Sequence, residues 1–107
     1  MTNIAAMMQK AQQMKERMGA MQAEVMQMDI PGEAGGGLVK VATNGKGEVR
    51  MIDIQKDLLN PDDKEMIEDL ITAAINDSRN RAEQIITEKT QKIMSDLGLP
   101  TDGSLPM

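Results

Sequence analysis

The 107-residue chain has no Cys and no His, so the groups that could act on a ligand are carboxylates, cations and backbone amides. Asp62, Asp63, Glu65, Glu68 and Asp69 lie close enough in sequence to collect a hard cation through oxygen ligands. They lack the alternating ligands and central Gly of a calcium loop, and helix capping, dipole complementation and solubility account for them. Gly32 and Gly37 have the outer spacing of a phosphate-binding loop, but Leu38 stands where the phosphate-binding Lys must be, and loop flexibility explains these glycines. The remaining candidates are the cations Lys10, Lys15, Arg17, Arg79 and Arg81, which suit either contact with phosphate or a structural place, paired with acids on a neighbouring helix or on a solvated face.

Composition narrows the field further. Without Cys and His there are no thiolate nucleophiles, no imidazole acid–base pairs and almost no transition-metal sites. The absence of Phe, Tyr and Trp removes the platforms on which single-stranded bases stack. Paired carboxylates without a pocket do not make a hydrolase, so neither an enzyme, a cofactor, a metal ion nor a small-molecule substrate is expected. No apolar run approaches the ~20 residues needed to span a bilayer and no secretion leader is evident, which reads as a soluble, cytoplasmic protein with no membrane partner.

Net charge is −5, an obstacle to DNA binding. The charge is uneven, however. Residues 53 to 70 hold seven acidic and two basic side chains, a block that accounts for the whole net charge, whereas residues 1 to 21 carry Lys10, Lys15 and Arg17 against Glu16. A bipolar molecule can present basic arms while its acidic block faces away.

The elements that must position these cations are legible in the apolar spacing. Ile4, Met7, Ala11, Met14, Met18, Met21, Val25 and Met28 follow a three-then-four repeat, the pattern of a coiled-coil seam, and predict a helix over residues 3 to 28, about 39 Å long, capped by Thr2 or Asn3. Gly19 weakens it locally. Lys10 and Arg17 fall at g positions and Lys15 at an e position, where pairing with acids on a neighbouring helix competes with phosphate contact.

Residues 38 to 43 and 48 to 54 are β-branched runs bracketing Asn44-Gly45-Lys46-Gly47, a hairpin in which Asn-Gly is expected to supply positive φ angles. Lys40, Lys46 and Arg50 protect its exposed edge. Asn60 as N-cap, Pro61 at the first helical position and two acids after it start a second helix that runs to Gly98 and Pro100, about 55 Å if unbroken. Arg79 and Arg81 lie in the polar run of residues 76 to 81, where the apolar stripe thins. Lys89 and Lys92, near the helix end, are explained by the helix dipole. A compact globule of this length has a radius of gyration of only ~13 Å. Helices this long project past any core the monomer can build, and a homodimer is the economical solution.

The order of residues resembles the YbaB/EbfC family of bacterial nucleoid-associated proteins. The resemblance covers roughly residues 8 to 100. It is carried by Met8-Gln9-Lys10-Ala11-Gln12-Gln13-Met14, by Gly32-Glu33-Ala34-Gly35-Gly36-Gly37-Leu38-Val39-Lys40-Val41, by the Asn44-Gly45 turn, and by the segment from Asp63-Lys64-Glu65-Met66 through Ala74-Ile75-Asn76-Asp77. A Phe common in the family just before the Asn-Asp pair is replaced here by Ile75. The resemblance implies an α+β fold over residues 1 to 100: a long N-terminal helix, a small three-stranded antiparallel sheet whose first strand includes Ile30, and a long C-terminal helix. Residues 101 to 107 are expected from the sequence to form a flexible tail.

It also implies a tweezer-like homodimer, located with the nucleoid, that binds duplex DNA with low sequence specificity and alters its conformation, with effects on nucleoid organisation and gene expression. Lys10, Lys15, Arg17, Arg79 and Arg81 are then the expected DNA contacts, and Leu38, Val39, Val41, Leu70, Ile71 and Ala74 the expected dimer interface. The alternative is a protein-binding module in which the Met-rich seam captures a helix of another protein.

Overall fold

The computed structural model describes residues 3 to 99; Thr2, Pro100 and the tail of residues 101 to 107 lie outside them. Helix α1 (Ile4–Gln27) starts where the Asn3 side chain accepts the Ala6 amide at 3.2 Å. Strands β1 (Ile30–Ala34), β2 (Val39–Thr43) and β3 (Val49–Ile54) form an antiparallel meander in that order. Helix α2 (Lys64–Asp96) follows two short 3-10 turns. The fold is therefore α-β-β-β-α, with the first strand at the position that the resemblance implied.

Asn60 and Pro61 act one step earlier than expected. Asn60 Oδ1 accepts the Asp62 amide at 3.0 Å and caps a 3-10 turn over Pro61–Asp63, from which α2 continues at Lys64. The far end of α2 closes as the Gly predicts. Gly98 takes φ +72°, its amide reaches the Ser95 carbonyl, and the Leu99 amide reaches the Met94 carbonyl at 2.7 Å. These paired bonds satisfy carbonyls that the helix leaves open.

The hairpin differs from the sequence expectation. Gly45 does not have a positive φ; within this loop only Gly47 does, at +82°. The Asn44 side chain organises the loop instead, its Oδ1 accepting the amides of Lys46 and Glu48 at 3.0 Å each. Gly45 is required for another reason. Its amide donates to the Val25 carbonyl near the end of α1, and a Cβ there would stand 2.7 Å from that oxygen.

Helix α2 crosses one face of the sheet over β1 and β2, and the contact is close because β1 presents Gly32. A side chain at Gly32 would meet the Ala74 carbonyl and come within 2.6 Å of Ser78. Beside it the buried Ser78 hydroxyl donates to the Ile30 carbonyl at 2.6 Å, so its oxygen accepts from Thr43 Oγ1, also at 2.6 Å. Every buried polar side-chain atom among the described residues has a partner, as burial without one is costly.

Two apolar clusters result. Val39, Val41, Leu58 and Ala74 fill the space between sheet and helix, with Leu38, Leu70 and Ile71 packed half-buried around them. Met21, Val25, Ile30, Ala82 and Ile93 join α1 to the distal half of α2. Val39, Val41 and Ala74 are at most 1% exposed, so these three of the expected interface residues are spent on the protomer's own core. The molecule is elongated, 71 by 24 by 17 Å, with a radius of gyration of 19.6 Å.

The two glycines of contrasting surroundings give a direct check. Gly32→Ala should lower stability by about 1–3 kcal/mol through backbone displacement against α2. Gly19→Ala, in a helical site with nothing within 4 Å of the added carbon, should raise it by about 1 kcal/mol. Urea denaturation of the two variants measures both.

Candidate nucleic-acid interface

Beyond the sheet, α1 and the distal half of α2 lie antiparallel and form a single arm. Two ion pairs mark the register: Arg17 Nη2 to Asp96 Oδ2 at 2.8 Å and Lys89 Nζ to Glu24 Oε1 at 3.1 Å, seven residues apart on each helix. Between them runs an open groove of about 260 Å³ with Ala20, Met21 and Ile93 as apolar floor and Arg17, Lys89, Lys92 and Glu24 as walls. Lys92 Nζ also approaches Asp96 Oδ2, at 3.5 Å. The bond from Arg17, reinforced by Lys92 and only partly opposed by desolvation, holds the Asp96 carboxyl below its usual range. It is a carboxylate at every physiological pH.

Because α2 ends opposite Arg17, α1 runs on for about three and a half turns by itself. Lys10 and Lys15 stand on this extension, which has no carboxylate before Glu16. Lys10 Nζ sits beside Gly98, 3.9 Å from the position of a Cβ there, where it faces the negative end of α2. The same extension leaves Ile4 (70%), Met7 (58%) and Met8 (67%) exposed. The apolar seam is thus covered by α2 in its second half and uncovered in its first, which the regular heptad spacing could not distinguish.

The expected DNA contacts therefore divide into two groups. Lys10, Lys15 and Arg17 are on the arm. Arg79 and Arg81 are at the sheet: Arg79 Nη2 donates to the Gly47 carbonyl at 3.1 Å, and Arg81 pairs at 3.1 Å with Asp77, whose same carboxylate oxygen accepts the Glu33 amide. Both have structural partners, and Arg81 is about 22 Å along α2 from its C-terminal end. The cations that the fold does bring to Arg17 are Lys89 and Lys92, which sequence reasoning assigned to the helix dipole. Their three-residue spacing puts them on one face, but only the antiparallel register places that face against Arg17.

The acidic block is at the other end. Asp57, Asp62, Asp63, Glu65, Glu68 and Asp69 surround the start of α2, about 50 Å of helix from Asp96. Among the described residues no group of three or more acids converges as a metal-ligand set, and no helix is long and apolar enough to cross a membrane.

Known proteins share this architecture. A crystal structure of an uncharacterized protein from Helicobacter pylori superposes with a TM-score of 0.70, covering 88% of this chain and 99% of that one, at 22% identity. Nucleoid-associated proteins of Granulibacter bethesdensis and Rhodospirillum centenum are each 42% identical over 106 residues, 99% of either chain. One of Methylocella silvestris is 38% identical over the same length. The model of the YbaB/EbfC DNA-binding family matches residues 1–97. With that match across nearly its whole length, the chain belongs to the YbaB/EbfC DNA-binding family.

Proposed function

We propose that this protein is a nucleoid-associated component that binds duplex DNA as a homodimer, through the phosphate backbone and with low sequence specificity. The observation that carries the reading is the arm: a projecting helix pair whose cations, Lys10, Lys15, Arg17, Lys89 and Lys92, stand at the end of the molecule opposite its acidic block. Membership of a DNA-binding family and relatives named nucleoid-associated proteins support the choice of ligand and of location. Low specificity follows from the side chains available, since flexible lysines on a smooth helix pair neutralise phosphates without reading base edges. Arg79 and Arg81, beside the sheet, are secondary contacts for a duplex lying between two arms. Two arms on one duplex constrain its path, which is how such a dimer alters DNA conformation.

The homodimer reading rests on the sheet's two unlike edges. Pro31 has no amide hydrogen, and the Glu33 amide, pointing the same way two residues on, is taken by Asp77 at 3.0 Å, so β1 is closed to further pairing. Strand β3 is the reverse. It is exposed along most of its length, with Val49 (40%), Met51 (47%) and Ile52 (47%) uncovered by α2. A second copy pairing at β3 takes up its free backbone groups, covers part of the apolar surface on both faces of the strand and sets two arms on one assembly. Of the interface residues expected from the sequence, Leu38, Leu70 and Ile71 keep some surface for it.

Three measurements test the proposal. Duplex anisotropy across a salt series should give an affinity that falls steeply, with a log–log slope of about −4 to −9 for a dimer using most of its arm cations; absence of binding at low salt would move the function to a protein partner of the exposed Met-rich seam. Lys10→Glu with Arg17→Glu should reduce duplex affinity by about 100-fold or more while the mass stays that of a dimer. Ile52→Asp should shift the mass by sedimentation from dimer to monomer with helix content kept; an unchanged mass would remove β3 from the interface.

A further inference from the structure

Asp96 occupies an unusual place in the arm. One oxygen, Oδ2, collects a guanidinium from α1 at 2.8 Å and an ammonium from α2 at 3.5 Å. A single anionic oxygen bridging an Arg and a Lys across a groove is what a phosphodiester offers to the same two cations. We infer that Asp96 holds the seat of a backbone phosphate beside the groove between α1 and α2, where Arg17 and Lys92 line it, and is displaced from that seat when duplex DNA binds. The inference rests on the DNA-binding reading above and names one subsite of it, together with the residue that limits its affinity.

Several features support displacement over a fixed pair. The Asp96 side chain is 37% exposed, so its carboxylate can rotate into water without crossing a packed interior. The groove beside it is open and, at about 260 Å³, large enough for a phosphate group. A simpler pair lines the groove itself, for Lys89 is held by Glu24 alone, whose side chain is 60% exposed. Arg17 and Lys92 are neutralised either by Asp96 or by a phosphate, and the exchange releases counterions from the DNA while the freed carboxylate stays close enough to repel it. Asp96 and Glu24 thus lower the affinity of an arm whose cations are already positioned.

The test is anisotropy of a labelled 20-base-pair duplex, about two helical turns, with the full chain as wild type, Asp96→Asn and Glu24→Gln, across a salt series. Asp96→Asn should tighten binding about five- to tenfold at 0.1 M salt and steepen the salt slope by about one. Glu24→Gln should act in the same direction by a smaller factor, reading the competition at an independent pair. Unchanged or weaker binding by both variants, with mass and helix content kept, would overturn the inference and make the carboxylates positioning groups for Arg17 and Lys89. Failure of the DNA-binding reading is distinguishable, because the wild type itself would then show no salt-dependent binding.

Discussion

The backbone-to-backbone approach of β1 to α2 at Gly32 governs the rest of the molecule. A glycine there lets the helix settle onto the strand at the Ala74 carbonyl, and the buried Ser78 hydroxyl then reaches the Ile30 carbonyl and Thr43 in one chain of bonds. With no aromatic side chain to fill a wider gap, close approach is how so small a sheet excludes water from its core. The tilt of α2 follows from this seam, and the direction of the arm follows from α2.

The two ends of α2 do different work. Its first half spends its apolar face on the sheet and surrounds itself with acids, while its second half leaves the sheet and pairs with α1. An acidic chain can in this way carry an arm of balanced charge, since screening at physiological salt confines each charge to about 8 Å and the acidic end lies several such lengths away. The arm's cations are matched largely by carboxylates of the neighbouring helix. Exposed pairs of this kind add little stability, and their consequence is to hold the side chains in place and to temper the local field.

The sheet is equally asymmetric. Closing β1 with Pro31 and Asp77 leaves β3 as the sheet edge with free backbone groups and exposed apolar side chains. A bulge between Ala42 and Thr43 leaves Arg50 without a partner in the β2 ladder, and its side chain reaches Asp29 at 3.4 Å. Bulges strengthen the local twist and help fix register.

Much of the architecture was legible in the residues. The three-then-four spacing of α1, the β-branched runs of the hairpin and the Asn60-Pro61 start each report a local backbone preference, and such preferences depend on neighbours a few positions away. The closing Gly98 worked for the same reason. Gly45 was misread because its role is a contact with Val25, distant in sequence, and the heptads of α1 could not show that α2 covers only half of them. The site divides along the same line. Cations able to meet phosphate were evident from residue type, and the resemblance pointed to Lys10, Lys15, Arg17, Arg79 and Arg81. The grouping of Arg17 with Lys89 and Lys92, and the setting of Arg79 and Arg81 against the sheet, were decided only by tertiary structure. The relative register of two helices depends on the sum of their packing contacts and not on either helix's own periodicity.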